Sequence, residues 1–390
     1  MHGPKPTTPL DQPHKQPCKM AMVWDLPLRL FHWLMVCVVT VAAITGYLSS
    51  EWWLSLHVLA GYALGYLLAF RMTWGFLGSY YSRFSSFPLR LRDVANHLFS
   101  VLRARPETHA GHNPVGAWMI VGLLTLMILL VVTGLIVLGG QENLGPFAAI
   151  ISFKVGDFFE DIHEALAGAL IGAICIHLLG VFVEVKFFRH PILKAMISGQ
   201  KPVPENGSGK GRVGLIRGAI LFFAVAGSLT FAGTKLGALP SERWRPSAFS
   251  SVYSSECGDC HVPYHPSLRL AANWQVLMAG LADHYGEDAS LEEEPRLQIE
   301  RYLSANDASR FDTEVAHRIG RIETKSNRMT DTPYWKKHHR KFDAEIFARQ
   351  GVGSKVNCDG CHRDAAPGRF DDANILIPNE AKTNRDKTKG

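Results

Sequence analysis

The sequence predicts an all-α protein in two unlike parts, a membrane-spanning helical bundle followed by a smaller, mainly helical, water-soluble domain. Three observations predict it. Five long apolar stretches fall before position 240; the rest is polar and evenly charged, with 22 bases and 23 acids; and the pattern Cys-x-x-Cys-His occurs twice, both times in that second part. Whole-chain averages hide the division. The 390 residues are 47% hydrophobic and 19% charged with net charge +6, and mean hydropathy is +0.03, near the soluble-protein norm. This composition excludes collagenous, coiled-coil and disordered chains.

The apolar stretches run Leu30–Leu48, Trp52–Phe70, Val115–Leu138, Ala165–Val183 and Gly218–Leu239. A helix needs roughly 20 apolar residues to cross a bilayer at about 1.5 Å per residue. Four meet that length cleanly. The fifth has a shorter uninterrupted core and leans on Lys235, whose long stem can reach the interface. Five such stretches in a row argue against buried helices of a soluble protein. Residues 1–20 are polar and Pro-rich, without an apolar core or cleavage site, so the first helix is expected to serve as the targeting signal.

Charge sets the orientation. The N-terminal arm and the second and fourth connections carry seventeen Lys and Arg, whereas the first and third carry only Lys154. Positive charge stays in the cytoplasm, so the N-terminus is expected there and everything after about residue 240 on the far side. The basic balance is thus a topology signal and gives no support to nucleic-acid binding. The expected organisation is a cytoplasmic arm (1–21), a four-helix bundle (22–200), a flexible Gly/Ser-rich linker (201–212), a fifth membrane helix (213–240), an exported domain (241–378) and a polar tail (379–390).

In the exported part, Cys257-Gly-Asp-Cys260-His261 and Cys358-Asp-Gly-Cys361-His362 carry the chemistry. Two thiols at this spacing add to the two vinyl groups of haem, and the adjacent His ligates the iron. A zinc site could use the same four cysteines but does not need a His after each pair. Two covalent haems c are therefore expected. Cys18, Cys37 and Cys175 fall in cytoplasmic or membrane segments, where no disulfide is expected. For the sixth ligands the candidates are His265, His284, His317, His338, His339, Met278 and Met329, and the residues alone leave them open.

Histidines inside apolar crossings are costly and usually functional. They are His32 in the first helix, His57 in the second, and His163 and His177 in the fourth. The last two are 14 residues apart, close to four helical turns, so they share one face about 21 Å apart along the axis. Depth then pairs His32 with His177 near the inner face and His57 with His163 near the outer face, one haem b for each pair. Gly61, Gly65, Gly168 and Gly172 are small neighbours on the haem-bearing helices. The third and fifth helices lack His and are expected to be structural. Arg29 and Arg71 are candidates to meet haem propionates, with anchoring to lipid headgroups as the alternative. His97, His109 and His112 receive no role.

Two resemblances follow from these residues. Trp24-Asp-Leu-Pro-Leu-Arg29-Leu-Phe-His32-Trp33, His57-x-x-x-Gly61 running to Arg71-x-x-Trp74-Gly75, and His163-Glu164 with His177 make residues 22 to about 200 resemble the bacterial cytochrome b561 and nickel-iron hydrogenase b-type cytochrome family. The resemblance implies a transmembrane four-helix bundle with two bis-His haems b on the four histidines already chosen. Trp274-x-x-Leu-Met278, His284-Tyr-Gly286-Glu-Asp288-Ala289, Thr332-Pro333-Tyr334-Trp335 and the two cysteine motifs make residues 250–378 resemble the dihaem cytochrome c family. That resemblance implies bis-His ligation and singles out His284 and His339.

Bis-His ligation leaves no open position at iron, which favours electron transfer over catalysis. The expected protein is an electron carrier of the bacterial inner membrane with two haems b and two haems c. It would relay electrons between the quinone pool and a periplasmic c-type cytochrome or oxidoreductase, in a direction the sequence leaves open, as a homodimer or within a membrane complex. A quinol:cytochrome c oxidoreductase activity belongs to this reading, although no quinone-site motif is legible. The alternatives are a membrane anchor and electron-transfer subunit of a larger dehydrogenase or hydrogenase-like complex, and a small-molecule-binding haem enzyme with one five-coordinate haem c.

Overall fold

The structure, a computed structural model, describes residues 18–48, 53–103, 109–204, 215–239 and 249–378. The arm before Cys18, most of the linker and the polar tail lie outside them. Five helices are long and apolar enough to cross a membrane: α1 (Leu26–Tyr47), α2 (Leu54–Leu77), α4 (Pro114–Gly140), α5 (Phe153–Lys186) and α7 (Leu215–Gly237). Their surfaces are apolar outward, with Ile176, Leu179 and Phe182 on α5 and Ile220, Phe223 and Phe231 on α7 all exposed. That pattern suits a lipid solvent, in which outward apolar side chains carry no penalty. α5 begins ten residues before His163, so this histidine sits in the third turn rather than at the helix start. The extra turns carry Asp157, Glu160 and Asp161, all beyond the first turn of the helix.

The chain forms two compact units whose boundaries run across these helices. In the first, which includes residues 18–40, 62–129 and 166–229, Asp25 is the organising residue. It is buried, and its carboxylate accepts from the Leu28 amide at 2.8 Å, from Trp74 Nε1 at 3.2 Å and from Ser82 Oγ at 2.7 Å. The first bond caps α1; the others tie that cap to α2 and the following loop. His32 lies seven residues on, two turns along α1. α7 reaches α1 where Gly218 meets Pro27: a Cβ there would lie 2.7 Å from the proline ring. Two elements were not legible in the sequence. One is the helix α3 (Leu91–Leu102). The other is a two-stranded antiparallel sheet of β1 (Cys18–Met22) and β2 (Gln200–Pro204), pairing Met22 with Gln200. The sheet takes up the start of the expected flexible linker, and the short α6 (Ile192–Ser198) leads into it through the left-handed Gly199.

The second unit includes the other ends of α1, α2, α4 and α5 (residues 41–48, 53–61 and 130–165) and everything described from 230 onward. Its domain after residue 249 is built from short helices: α8 (Ser251–Gly258), α9 (Ala271–Ala279), α10 (Glu293–Ala305), α11 (Pro333–His339) and α12 (Ala344–Phe347). Its largest apolar cluster joins Tyr253, Trp274, Met278, Leu281, Ile299 and Leu303. Two small clusters around Leu268–Val315–Ile319 and Ala308–Phe311–Ala316 complete the packing.

Candidate haem centres

His57, in the first turn of α2, faces His163 of α5 with ring centroids 6.2 Å apart and planes at 80°. Each ring is held from behind. His57 Nδ1 lies 3.0 Å from the Ala42 carbonyl and 3.2 Å from Thr45 Oγ1. His163 Nδ1 lies 2.9 Å from Thr133 Oγ1. Both hydroxyls donate to helix carbonyls, Thr45 to Val41 and Thr133 to Leu130, and so accept from the imidazoles. A carbonyl or an accepting hydroxyl behind Nδ1 fixes the proton there and leaves the Nε2 lone pair as the ligating atom. Gly46 and Gly134 complete each niche: a Cβ would stand 3.2 Å from His57 Cε1 and 3.1 Å from His163 Cε1.

The domain after residue 249 repeats the arrangement twice. His261 and His284 stand 6.3 Å apart, with planes at 17°; His339 and His362 stand 6.2 Å apart, at 49°. His261 Nδ1 lies 2.9 Å from the Val262 carbonyl, and His339 Nδ1 lies 2.9 Å from that of Trp335. His284 sits on a tight turn closed by its own amide donating to the Glu287 carbonyl at 2.7 Å. Tyr285 and Gly286 both have positive φ there, 59° and 105°, and the second is a position for glycine. His339 ends α11, where Thr332 caps the helix by accepting from the Trp335 amide and Pro333 opens it. Trp335 then stacks on His339 at 4.4 Å and 8°.

These separations fit a haem iron. With about 2.0 Å from metal to nitrogen and about 1.1 Å from nitrogen to ring centre, two axial imidazoles stand about 6.2 Å apart. Both cysteine pairs and both histidine pairs line one cavity of about 730 Å³ walled largely by apolar side chains, including Leu277, Leu281, Val315, Trp335 and Phe347. Burial lowers His362 to about 4, with His339 adding to the effect, and burial followed by His261 lowers His284. Burial thus favours the neutral form of His362 and His284, as ligation requires. Among the described residues no three His, Cys, Asp or Glu side chains cluster as a metal site. The four cysteines accordingly do not converge as a zinc centre needs.

His32 of α1 and His177 of α5 both belong to the first unit. His32 Nδ1 is buried without a hydrogen-bond partner. Arg71 is buried at 3% exposure with its guanidinium 4.5 Å over the Phe84 ring, which does not fit anchoring to lipid headgroups. Arg29 bonds the Ile197 carbonyl.

The remaining sixth-ligand candidates have other tasks. His265 is buried, bonds Ser267 Oγ at 2.8 Å and packs edge-on to Phe311. His317 pairs with Asp312 at 2.8 Å, and His338 stacks on Tyr334. Met278 belongs to the apolar cluster and Met329 packs against it. Sequence reasoning missed Thr45, Gly46, Thr133 and Gly134. Their signal was a Thr-Gly dipeptide repeated on the two helices without a chosen histidine at that level. Glycines on the haem-bearing helices were weighed instead, yet Gly61 and Gly172 face open space. The third apolar helix, α4, is thus more than structural.

Comparisons with known proteins match the two parts of the chain separately. Residues 23–199 match the family model for prokaryotic cytochrome b561, and residues 253–370 match that for dihaem cytochrome c. The "Probable Ni/Fe-hydrogenase 1 B-type cytochrome subunit" of Escherichia coli (strain K12) is 25% identical over 212 residues, covering 46% of this chain and 89% of that protein. The "Probable Ni/Fe-hydrogenase B-type cytochrome subunit" of Bradyrhizobium diazoefficiens is 23% identical over 209 residues, 46% and 85% respectively. Among solved structures, a dihaem cytochrome c from Rhodobacter sphaeroides is 35% identical, covers 32% of this chain and all of that chain, with a TM-score of 0.28. One from Shewanella baltica OS155 is 26% identical, covers 34% and 94%, with a TM-score of 0.27.

Proposed function

The chain belongs to the prokaryotic cytochrome b561 family over residues 23–199 and to the dihaem cytochrome c family over residues 253–370, and from that premise we propose that this membrane haem electron-transfer protein is a tetrahaem relay. Two haems b are held by His32 with His177 and by His57 with His163. Two haems c are attached at Cys257 and Cys260 and at Cys358 and Cys361, with His261 and His284 on the first iron and His339 and His362 on the second. Each bound haem supplies a one-electron change at iron. The chain's residues fix its surroundings: the carbonyls of Ala42, Val262 and Trp335 and the hydroxyl of Thr133 orient the rings, and apolar walls exclude water.

The observation that carries this reading is the common 6.2–6.3 Å separation of three imidazole pairs, two of them in one cavity with the cysteine motifs. Two imidazoles to each haem would leave no position for substrate, so the relay would pass electrons without transforming a bound molecule. The bundle (22–200) and fifth helix (213–240) lie in the inner membrane with the N-terminus cytoplasmic, and the domain 241–378 is periplasmic. The quinone pool is the membrane-side partner, and a periplasmic c-type cytochrome or oxidoreductase is the other. Pyridine haemochromes of the purified protein should give two haems b and two haems c, all low-spin when oxidised. A 1:2 ratio or a high-spin component in the native protein overturns the tetrahaem relay.

One observation favours a second reading. The relatives of the membrane part carry the word "subunit" and a hydrogenase in their names. As an anchor for a larger dehydrogenase, the chain would copurify with a catalytic subunit in stoichiometric amount from mild detergent. A chain isolated alone and reduced by quinol supports the free-standing relay.

A further inference from the structure

We infer that the relay has a fixed order outside the membrane: the haem attached at Cys358 and Cys361 exchanges electrons with the haem held by His57 and His163, and the haem attached at Cys257 and Cys260 is the outer terminus. This rests on the tetrahaem reading and adds the sequence of carriers and the means of holding them together.

The order follows from what docks on the helix ends within the second unit. The segment after His362 folds back on its own motif. The His362 and Ile375 backbones form an antiparallel bridge, the Leu376 amide donates to the Cys361 carbonyl at 2.8 Å, and Asp364 accepts from the Asp371 amide at 3.0 Å. The far end of this fold meets the loop that follows α4. Arg369 donates to the Glu142 and Asn143 carbonyls at 3.2 and 3.4 Å, and the Asp372 amide donates to Glu142 Oε2 at 3.2 Å. Phe370, between them, packs on His362 at 5.3 Å. On the other side, α4 carries Gly134 against His163, and from Gly134 to Gly140 is six residues, about 9 Å of helix. A continuous path of bonded and packed residues therefore joins His163 to His362.

A second contact fixes the same docking. The Phe153 amide, opening α5, donates to Asp312 Oδ2 at 3.1 Å; Phe153 stacks on His317 at 4.6 Å; and Arg318 pairs with Asp157. The first cysteine motif is placed differently. Its Cys260 and Asp259 are exposed, whereas Cys361 and Gly360 at the matching positions of the second motif are partly covered; Cys257 and Cys358 are partly covered alike. The haem that His57 and His163 would hold would lose one electron, and the haem that His339 and His362 would hold would gain it. No bond or proton moves, and the reverse holds for reverse flow.

Two measurements on the full-length haem-loaded protein in membranes test this. Zero-length carbodiimide coupling should join Lys154 to carboxylates of the segment 307–331; a cross-link to Glu256, Asp259 or the segment 283–294 overturns the order. Arg318→Asp should raise hydrogen exchange at the Phe153 and Asp372 amides and slow b-to-c electron transfer at least tenfold in rapid-mixing spectra. The reversed pair Arg318→Asp/Asp157→Arg should restore both. An unchanged rate with loosened amides means a swinging domain and overturns the fixed docking. Haemochrome ratios on the same samples report separately on the four-haem reading, since a wrong ratio sinks that reading whatever the cross-links show.

Discussion

Thr133 Oγ1 accepts a hydrogen bond from His163 Nδ1 at 2.9 Å while donating its own proton to the Leu130 carbonyl at 3.2 Å. The hydroxyl thus passes the pull of a helix carbonyl on to the imidazole. An acceptor on Nδ1–H makes the ring a better donor to a metal and favours the ferric state. Thr133→Val should raise the midpoint potential of one haem b by roughly 20–60 mV, the equivalent of about 0.5–1.5 kcal/mol for one neutral hydrogen bond. Thr133→Ser should bring it back. Redox titration of the b-band decides: an unshifted potential with haem retained removes Thr133 from the ligand's surroundings.

Glycine at 46 and 134 is a matter of space. A Cβ at either position meets a histidine ring at 3.2 or 3.1 Å, and a larger side chain must displace it. Gly134→Val should cost one of the two haems b and leave both haems c, read as a fall in the haemochrome ratio from 2:2 to 1:2. Gly61→Ala and Gly172→Ala, where nothing lies within 4 Å, should retain all four. Equal haem content in the two sets would show that the close contacts are irrelevant.

The interplanar angles separate the haems spectroscopically. Nearly parallel rings, 17° for His261 and His284, act on one iron d orbital and split the pair; rings at 80°, as for His57 and His163, act on both and leave them nearly equal. The oxidised protein should show a rhombic low-spin signal for the first and a strongly anisotropic one for the second. His284→Ala should remove the rhombic signal and create a high-spin one while haem stays covalently attached through Cys257 and Cys260. Persistence of the rhombic signal in that variant would exclude His284 as ligand.

At the helix ends, Glu142 is 8% exposed and its carboxyl is held well above the ordinary range, by burial first and then by Asp372, Glu314 and Asp371. Arg369 lies beside the same loop through the Glu142 carbonyl. A carboxyl raised in the folded state keeps its proton there after the unfolded chain has lost it. Its contribution is intact below the unfolded value near 4.5 and is lost as pH rises toward the folded value. Thermal stability, followed by the haem band, should therefore decline with pH across that window. Glu142→Gln, which keeps an oxygen to accept from the Asp372 amide, should flatten the profile. A variant with the wild-type slope assigns the dependence elsewhere.

What was legible in the sequence was what is local. Apolar length announces α1, α2, α4, α5 and α7, and Cys-x-x-Cys-His names its own chemistry within five residues. The partner histidines are not local: His284 lies 23 residues after His261, whereas His339 lies 23 residues before His362. No periodicity links them, and only the family resemblance singled them out. β1 and β2 pair across nearly the whole bundle sequence, with Cys18 opposite Pro204, and a segment of five residues gives no sign of such a distant partner. Thr45 and Thr133 escaped notice because a helix threonine usually bonds its own backbone. These two do that as well, and serve a neighbouring helix with the oxygen that remains.

The single cavity shared by both cysteine motifs has a consequence for how the protein is made. Two of the apolar clusters, through residues such as Leu281, Leu303, Val315 and Ile319, line a hollow of about 730 Å³, which the two haems c of the tetrahaem relay would fill. Haems held there would be structural members as well as carriers, and their attachment a stage of folding. The thioether bonds would form before closure partly covers Cys257 and Cys358.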